Sequence, residues 1–232
     1  VMTSSNLLND EEMPADEDWN RFGLDGVTNS TIKYLRMEYG GDRVFRLEFC
    51  DDTNDISYVQ VFRSSDEGIM ITDGDVNLKY LVATETGDSN YRLGETYAGK
   101  IQYAFAWNDE VDGGEAFYLR ETSNVTLANV TVVGPGTASG FGNDGIRLRS
   151  TTGGKVYNAV VTGMPGFGIE AQEIVPTDID GASVFAYSHV YDNVERDDSD
   201  GNIFFTEVSF MNSENAIPGI EVGAIVPTST AA

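Results

Sequence analysis

At 232 residues, with 38 acidic side chains against 14 basic ones, the chain carries a formal charge of −24. That excess excludes nucleic acid as a partner, since a phosphate backbone is held by basic patches, and no apolar run approaches the length of a membrane span. A single cysteine, Cys50, leaves no intrachain disulfide and no thiolate metal site.

In chain order, residues 1–29 are acidic and polar, with Trp19 and Phe22 as the large anchors, and read as an N-terminal cap or partial coil. From residue 30 one phrase recurs: an apolar residue, a spacer, Tyr or Asn, two spacers, then a small or apolar residue. It reads Ile32-Lys-Tyr34-Leu-Arg-Met37, then Ile56-Ser-Tyr58-Val-Gln-Val61, Leu78-Lys-Tyr80-Leu-Val-Ala83 and Ile101-Gln-Tyr103-Ala-Phe-Ala106. Further copies centre on Asn129, Asn158 and Tyr187, and an eighth runs Ile203-Phe-Phe205-Thr-Glu-Val208. Units of roughly 20–30 residues cannot bury an apolar face alone, so the copies must stack into a solenoid. Ile32, Ile56, Leu78 and Ile101 are then expected to pile into one inner column.

A second element lies between copies: Val44–Phe49, Gly68–Ile71, Ala116–Leu119, Gly145–Leu148 and Gly168–Ala171. In Ile146-Arg147-Leu148-Arg149 the apolar residues point inward and the charged ones outward. Gly68, Gly145 and Gly168 mark bends where a side chain would clash. The expected fold is all-β, a right-handed parallel β-helix of about eight coils over residues 30–218, followed by a tail or linker at 219–232. Helical periodicity with caps is absent. A leucine-rich repeat lacks its leucine ladder here, and a propeller needs blades of about 40 residues. Residues 133–145, 172–181 and 192–202 read as surface loops, the natural contact regions of a rigid scaffold.

Chemistry is sparsely marked. No nucleophile motif, phosphate loop or zinc signature occurs. The one histidine, His189, sits on a strand and is expected to be outward-facing or hydrogen-bonded rather than a general base. Asp51-Asp52 and Asp197-Asp198 lack the neighbouring histidine and basic triplet of a hydrolase, and Arg147 and Arg149 are expected to balance nearby acids. Acidic residues follow the first strand in consecutive coils: Asp42, Asp66 with Glu67, Asp88, then Asp109, Glu110 and Asp112. Stacked about 4.8 Å apart, like charges repel by about 1 kcal/mol even in water. They splay into solvent, the reading preferred from the sequence, or are bridged by a hard cation, for which calcium at Asp66, Asp88, Asp109 and Asp112 is the candidate ligand set. No other cofactor is expected. Trp107, Tyr91, Tyr97, Tyr118 and Phe141 are candidate sugar platforms, and Asn129 is placed in an inward asparagine ladder. The three sequons at Asn29, Asn124 and Asn129 are taken as chance.

Taken together, Ile32–Gly41, Ile56–Val61 with Asp66–Gly68, Val76–Ala83, Gly99–Phe105, Leu127–Val132, and Gly145–Arg149 with Gly154–Gly163 resemble a family. It comprises secreted or cell-surface right-handed parallel β-helix proteins of Bacteroidetes and marine bacteria. The resemblance covers about residues 30–170 of this chain. It implies the fold and an extracellular or cell-surface location, and supplies no catalytic residues. Where relatives carry an Asp-Ser-Phe-Asp-Trp-like phrase, this chain has Asp88-Ser-Asn-Tyr-Arg-Leu93. The chain, which does not begin with Met, is expected to be a processed or truncated product. Its expected function is that of a non-catalytic structural or adhesive surface protein, self-associating through its solenoid ends into a fibre or coat, or binding other surface proteins. The alternative is a polysaccharide-binding or polysaccharide-cleaving module.

Overall fold

The computed structural model describes residues 14–108, 113–140, 142–149, 152–173 and 180–217. The chain winds through β1 (Phe22–Asp25), β2 (Thr31–Gly40), β3 (Phe45–Glu48), β4 (Asp55–Ser64), β5 (Ile69–Thr72) and β6 (Leu78–Thr86). It continues through β7 (Tyr91–Gly94), β8 (Lys100–Trp107), β9 (Phe117–Leu119), β10 (Thr126–Val133) and β11 (Ile146–Arg149). The last strands are β12 (Lys155–Thr162), β13 (Phe167–Gln172), β14 (Val184–Ala186), β15 (His189–Tyr191) and β16 (Glu195–Asp197).

Each strand pairs in parallel with the equivalent strand one coil away, giving two eight-stranded sheets. The short sheet holds the odd-numbered strands from β1 to β13 plus β16; the long sheet holds the even-numbered ones from β2 to β14, with β15 beside β12. The result is an all-β parallel solenoid of about 7 turns.

The recurring phrase is explained by one backbone angle. Tyr34, Tyr58, Tyr80, Tyr103, Asn129, Asn158 and Tyr187 all have φ between 54° and 61°, the left-handed region. A residue in that conformation interrupts the pleat and resets its alternation. Ile56 and Tyr58 would otherwise face the same way; instead Ile56, Val59 and Val61 are buried while Tyr58 stands outside. The two spacers after Tyr or Asn therefore replace one because each long strand bends there.

Two facing inner columns follow from the register. Ile32 aligns with Ile56, Leu78 and Ile101, as the spacing predicts, and Leu127, Val156 and Phe185 extend that column. From the short sheet, Phe45, Ile69, Tyr91, Phe117 and Ile146 face it, each 0% exposed. Glycines close the turns leading into the short sheet. A Cβ on Gly145 would lie 2.3 Å from the Gly168 carbonyl oxygen, and one on Gly168 2.5 Å from a Val190 methyl. The expected clash is met at both positions.

Three expectations need correction, and one strand goes beyond those expected. The eighth phrase is not a coil: Ile203–Thr206 forms the helix α1, followed by a 3-10 turn at Val208–Phe210. This segment folds over the end of the core, where Phe204 and Phe210 are fully buried. Residues 192–202, expected as a loop, contain β16, which pairs with β13. Tyr91–Gly94, unassigned in the sequence reading, is a short-sheet strand with Tyr91 and Leu93 inward. Asn129 lies on the outer bend, where its side-chain oxygen accepts from Asn158 Nδ2 at 3.4 Å, rather than in an inward ladder. No helix among the described residues is long and apolar enough to cross a membrane.

Candidate functional site

The leading edge of the short sheet carries a seam of carboxylates and arginines. Register places Arg46, Met70, Arg92, Tyr118, Arg147 and Glu170 in one outward column. Glu67, Glu115 and Asp144 enter from the turns just before their strands.

Two clusters result. In the first, oxygens of Asp42, Asp66 and Glu67 lie within 4.8 Å of one another. Glu67 is buried and pairs with Arg92 Nη1 at 2.5 Å and Arg43 Nε at 3.5 Å. Burial would raise its pKa, but the hydrogen bond with Asp66 and the Arg92 guanidinium outweigh that and draw it down. Burial and hydrogen bonding to Glu67 and Asp42 instead push Asp66 up to about 7. One proton is thus held between neighbouring carboxyls, as like charges that cannot both ionise require.

In the second cluster, Glu115, Asp144 and Glu170 approach equally closely. Arg147 bridges them, with Nη1 at 2.5 Å from Glu115 and Nε at 2.7 Å from Glu170. Desolvation, with Asp144, Asp198 and Glu115 adding negative charge, raises Glu170 to about 7 against the pull of Arg147. Asp144 is raised by burial while accepting from the Phe167 amide at 2.7 Å. Between the clusters, burial and the charges of Glu67 and Glu115 raise Asp88. Ser89 donates to Glu115 at 3.1 Å.

The stacked acids therefore meet their repulsion chiefly through arginine, the role expected of Arg147, while Arg149 donates to the Tyr118 hydroxyl instead. The guanidinium groups of Arg92 and Arg147 come from neighbouring strands of the same short sheet, and protons are retained. Of the expected calcium ligands, Asp66 and Asp88 lie in adjacent coils, the Asp88 amide donating to the Asp66 carbonyl at 3.4 Å; Asp109 and Asp112 lie outside the described residues. Asp66 groups with Asp42 and Glu67, the set that could hold a divalent ion, as could Glu115, Asp144 and Glu170. In both sets arginine already supplies the positive charge.

The long sheet offers a different surface. At its bend Tyr34, Tyr58, Tyr80 and Tyr103 stack with ring centroids 4.8, 4.6 and 5.1 Å apart and interplanar angles of 15° or less. Their faces cover one another, so the ridge presents ring edges rather than flat platforms. One groove, of about 590 Å³, runs beside it past Gln60, Val82, Phe105 and Thr131. A second, of about 460 Å³, lies on the other side.

The expected sugar platforms fare unevenly. Tyr91 and Tyr97 are core residues at 0% exposure, Tyr91 stacked on Phe117 at 4.3 Å. Trp107 is half-buried at the end of β8, and Phe141 lies outside the described residues. Tyr118 stands on the short-sheet face, with the Arg120 and Arg147 guanidinium groups 5.3 and 5.4 Å from its ring centre. His189 pairs through Nδ1 with the Asn215 carbonyl at 3.0 Å, the hydrogen-bonded role expected of it. Cys50 is buried and unpaired, its thiol directed at the Glu48 carbonyl. Sequence reasoning missed Glu115, Asp144 and Glu170 because they are 29 and 26 residues apart along the chain and meet only through coil register. The signal available was the run of acid, glycine or alanine, and an apolar strand that precedes each of β5, β9 and β11.

No curated protein and no solved structure matches the chain. A family model described as a pectate-lyase like beta helix domain matches residues 22–228. With that match spanning nearly the whole coil and the two-sheet parallel winding agreeing with it, the chain belongs to the pectate-lyase-like β-helix domain family.

Proposed function

We propose that the chain is a polysaccharide-binding module whose glycan lies along the outer face of the short sheet, across Arg92, Tyr118 and Arg147. Membership of the family fits a polysaccharide-related module. Fold alone does not assign activity, so the proposal rests on the site. The observation that carries it is the seam itself: carboxylates and guanidinium groups alternating with an aromatic ring on one continuous face. Carboxylates and guanidiniums supply the directional hydrogen bonds that sugar hydroxyls take, and Tyr118 supplies apolar area.

The test is retention of the full chain on a panel of neutral polysaccharides. Replacing Arg147→Gln together with Glu115→Gln removes the guanidinium and one of its two carboxylate partners, and leaves Glu170, whose pKa is already raised to about 7, to take up a proton. The double variant is expected to bind about tenfold more weakly, a loss of roughly 1.4 kcal/mol. Unchanged retention would count against the proposal.

A second reading, cleavage, is favoured by one specific observation: Asp66 and Glu170 hold protons near neutral pH beside other carboxylates. A proton donor paired with a nearby base is the arrangement glycosidic cleavage uses. Release of reducing or unsaturated ends that disappears in Glu170→Gln, with binding kept, would establish it.

A further inference from the structure

We propose that the leading half of the long sheet is a second binding surface, for a polyanionic glycan bearing carboxylate or sulfate groups. The chain has only four lysines, Lys33, Lys79, Lys100 and Lys155, and all four lie on this one face. Register puts Lys33, Ser57 and Lys79 in one column and Lys100, Thr126 and Lys155 in another. Within each column the two lysines are two strand spacings apart, about 10 Å.

None of the ten arginines shares that face. Eight of the ten arginines pair with carboxylates, among them Arg21 with Asp42, Arg46 with Glu48 and Arg92 with Glu67, while Arg149 donates to the Tyr118 hydroxyl and Arg63 lies over the Phe62 ring. Lys33 pairs with Asp55 at 2.5 Å, whereas Lys79, Lys100 and Lys155 make no ion pair among the described residues. In a chain with 38 acids, three cations left together without partners are set apart by position. Lysine suits this use: a compact charge on a flexible stem can follow an anionic partner arriving from solvent.

The shape fits a chain. Lys79 and Lys100 flank the groove of about 460 Å³, whose other lining includes Asn77, Gln102 and Thr126. Tyr80 and Tyr103, each about two-fifths exposed, form the adjoining ridge. One acid, Asp55, stands on the face itself, in register with Thr31, and it is taken up by Lys33. The overall negative charge does not forbid the contact, because fields are screened beyond about 8 Å at physiological salt.

The two surfaces stand on different sheets, so either assignment can fail alone. The full chain is run by affinity electrophoresis through gels holding alginate, dextran sulfate or unmodified dextran. Alginate and dextran sulfate separate the carboxylate from the sulfate source. At least one is expected to retard the wild type, with retardation fading as salt rises. K79Q/K100Q/K155Q is expected to bind about tenfold more weakly, as three exposed charges of modest worth allow. K79E/K100E is expected to abolish retardation, and R147Q/E115Q to leave it unchanged. Retardation by the polyanions that is unaltered in the lysine variants, lost equally in R147Q/E115Q, or absent with both polyanions would overturn the proposal, whereas retardation by plain dextran that R147Q/E115Q removes belongs to the short sheet. So would a salt-sensitive dimer of the wild type that the lysine variants abolish while no glycan is retained. Binding to neutral polysaccharides through the short sheet is untouched by any of these results.

Discussion

A tyrosine with a left-handed backbone is a costly choice, and this chain makes it at Tyr39 and, in the recurring phrase, at Tyr34, Tyr58, Tyr80, Tyr103 and Tyr187. For a residue other than glycine the conformation costs about 1–2 kcal/mol, least for asparagine. A stacked aromatic pair returns about 0.5–1.5 kcal/mol beyond its buried area. Tyr80 stacks on both sides, so the two contacts offset the backbone cost at its position. Tyr80→Ala, which keeps the strain and loses both contacts, is expected to destabilise the fold by roughly 1–3 kcal/mol. Tyr80→Asn should cost less, because asparagine accepts the conformation, and Tyr80→Val more, because a β-branched side chain does not. Urea unfolding of the three variants checks the order; asparagine no better than alanine would refute the account. The repeat position was legible in the sequence, and its exchange between Tyr and Asn was the clue to its geometry. What hid the meaning is that propensity alone gives tyrosine no reason to adopt a left-handed bend. Only the neighbouring coil supplies one.

Strands were legible where alternation is clean and obscure where it is not. Ile146-Arg147-Leu148-Arg149 announces its faces, and Tyr91-Arg92-Leu93 follows the same rule, yet an aromatic in the first place drew a surface reading. The β16 segment Glu195–Asp197 has no apolar residue at all and is a strand only because β13 offers it an edge. Glycine positions were the more dependable signal, since they report close approach rather than burial. At Gly145 the missing side chain is occupied on two sides, by the Gly168 carbonyl and by a Val161 methyl 2.5 Å from where a Cβ would stand. Backbone cannot give way there without separating β11 from β13. Gly145→Ala is therefore expected to cost about 1–3 kcal/mol, the range of overpacked cores. Gly140→Ala, where nothing lies within 4 Å, should stay within about 0.5 kcal/mol of the parent. Equal melting temperatures for the two variants would contradict this reading of the turns.

Over the whole molecule, composition gave the charge but not its arrangement. Coil register interleaves faces that are scattered along the chain, gathering lysines on one sheet and carboxylates along the edge of the other. The candidate seam was illegible for that reason, because residues 26 or 29 apart become neighbours only once the coils are aligned. The arrangement has a consequence for stability. Folding raises Asp66 from 3.8 and Glu170 from 4.5, each to about 7. Between those limits the folded chain keeps protons that the unfolded chain has released, so stability falls as pH rises through this window. Above about 7 both states are ionised and the advantage of acid is gone. Glu67, lowered from 4.5, acts in the opposite sense and withdraws stability as pH falls below that value. Self-repulsion of a chain at −24 pushes the same way as Asp66 and Glu170. The melting temperature is accordingly expected to be several degrees higher near about pH 5.5 than near about pH 8. Asp66→Asn with Glu170→Gln separates the two causes. Neutral side chains at those positions should flatten the slope between the two pH values, while added salt, which screens only the diffuse repulsion, should leave most of it in the parent. A double variant that retains the full slope, and loses it in salt, would place the pH dependence in net charge and remove the seam from it.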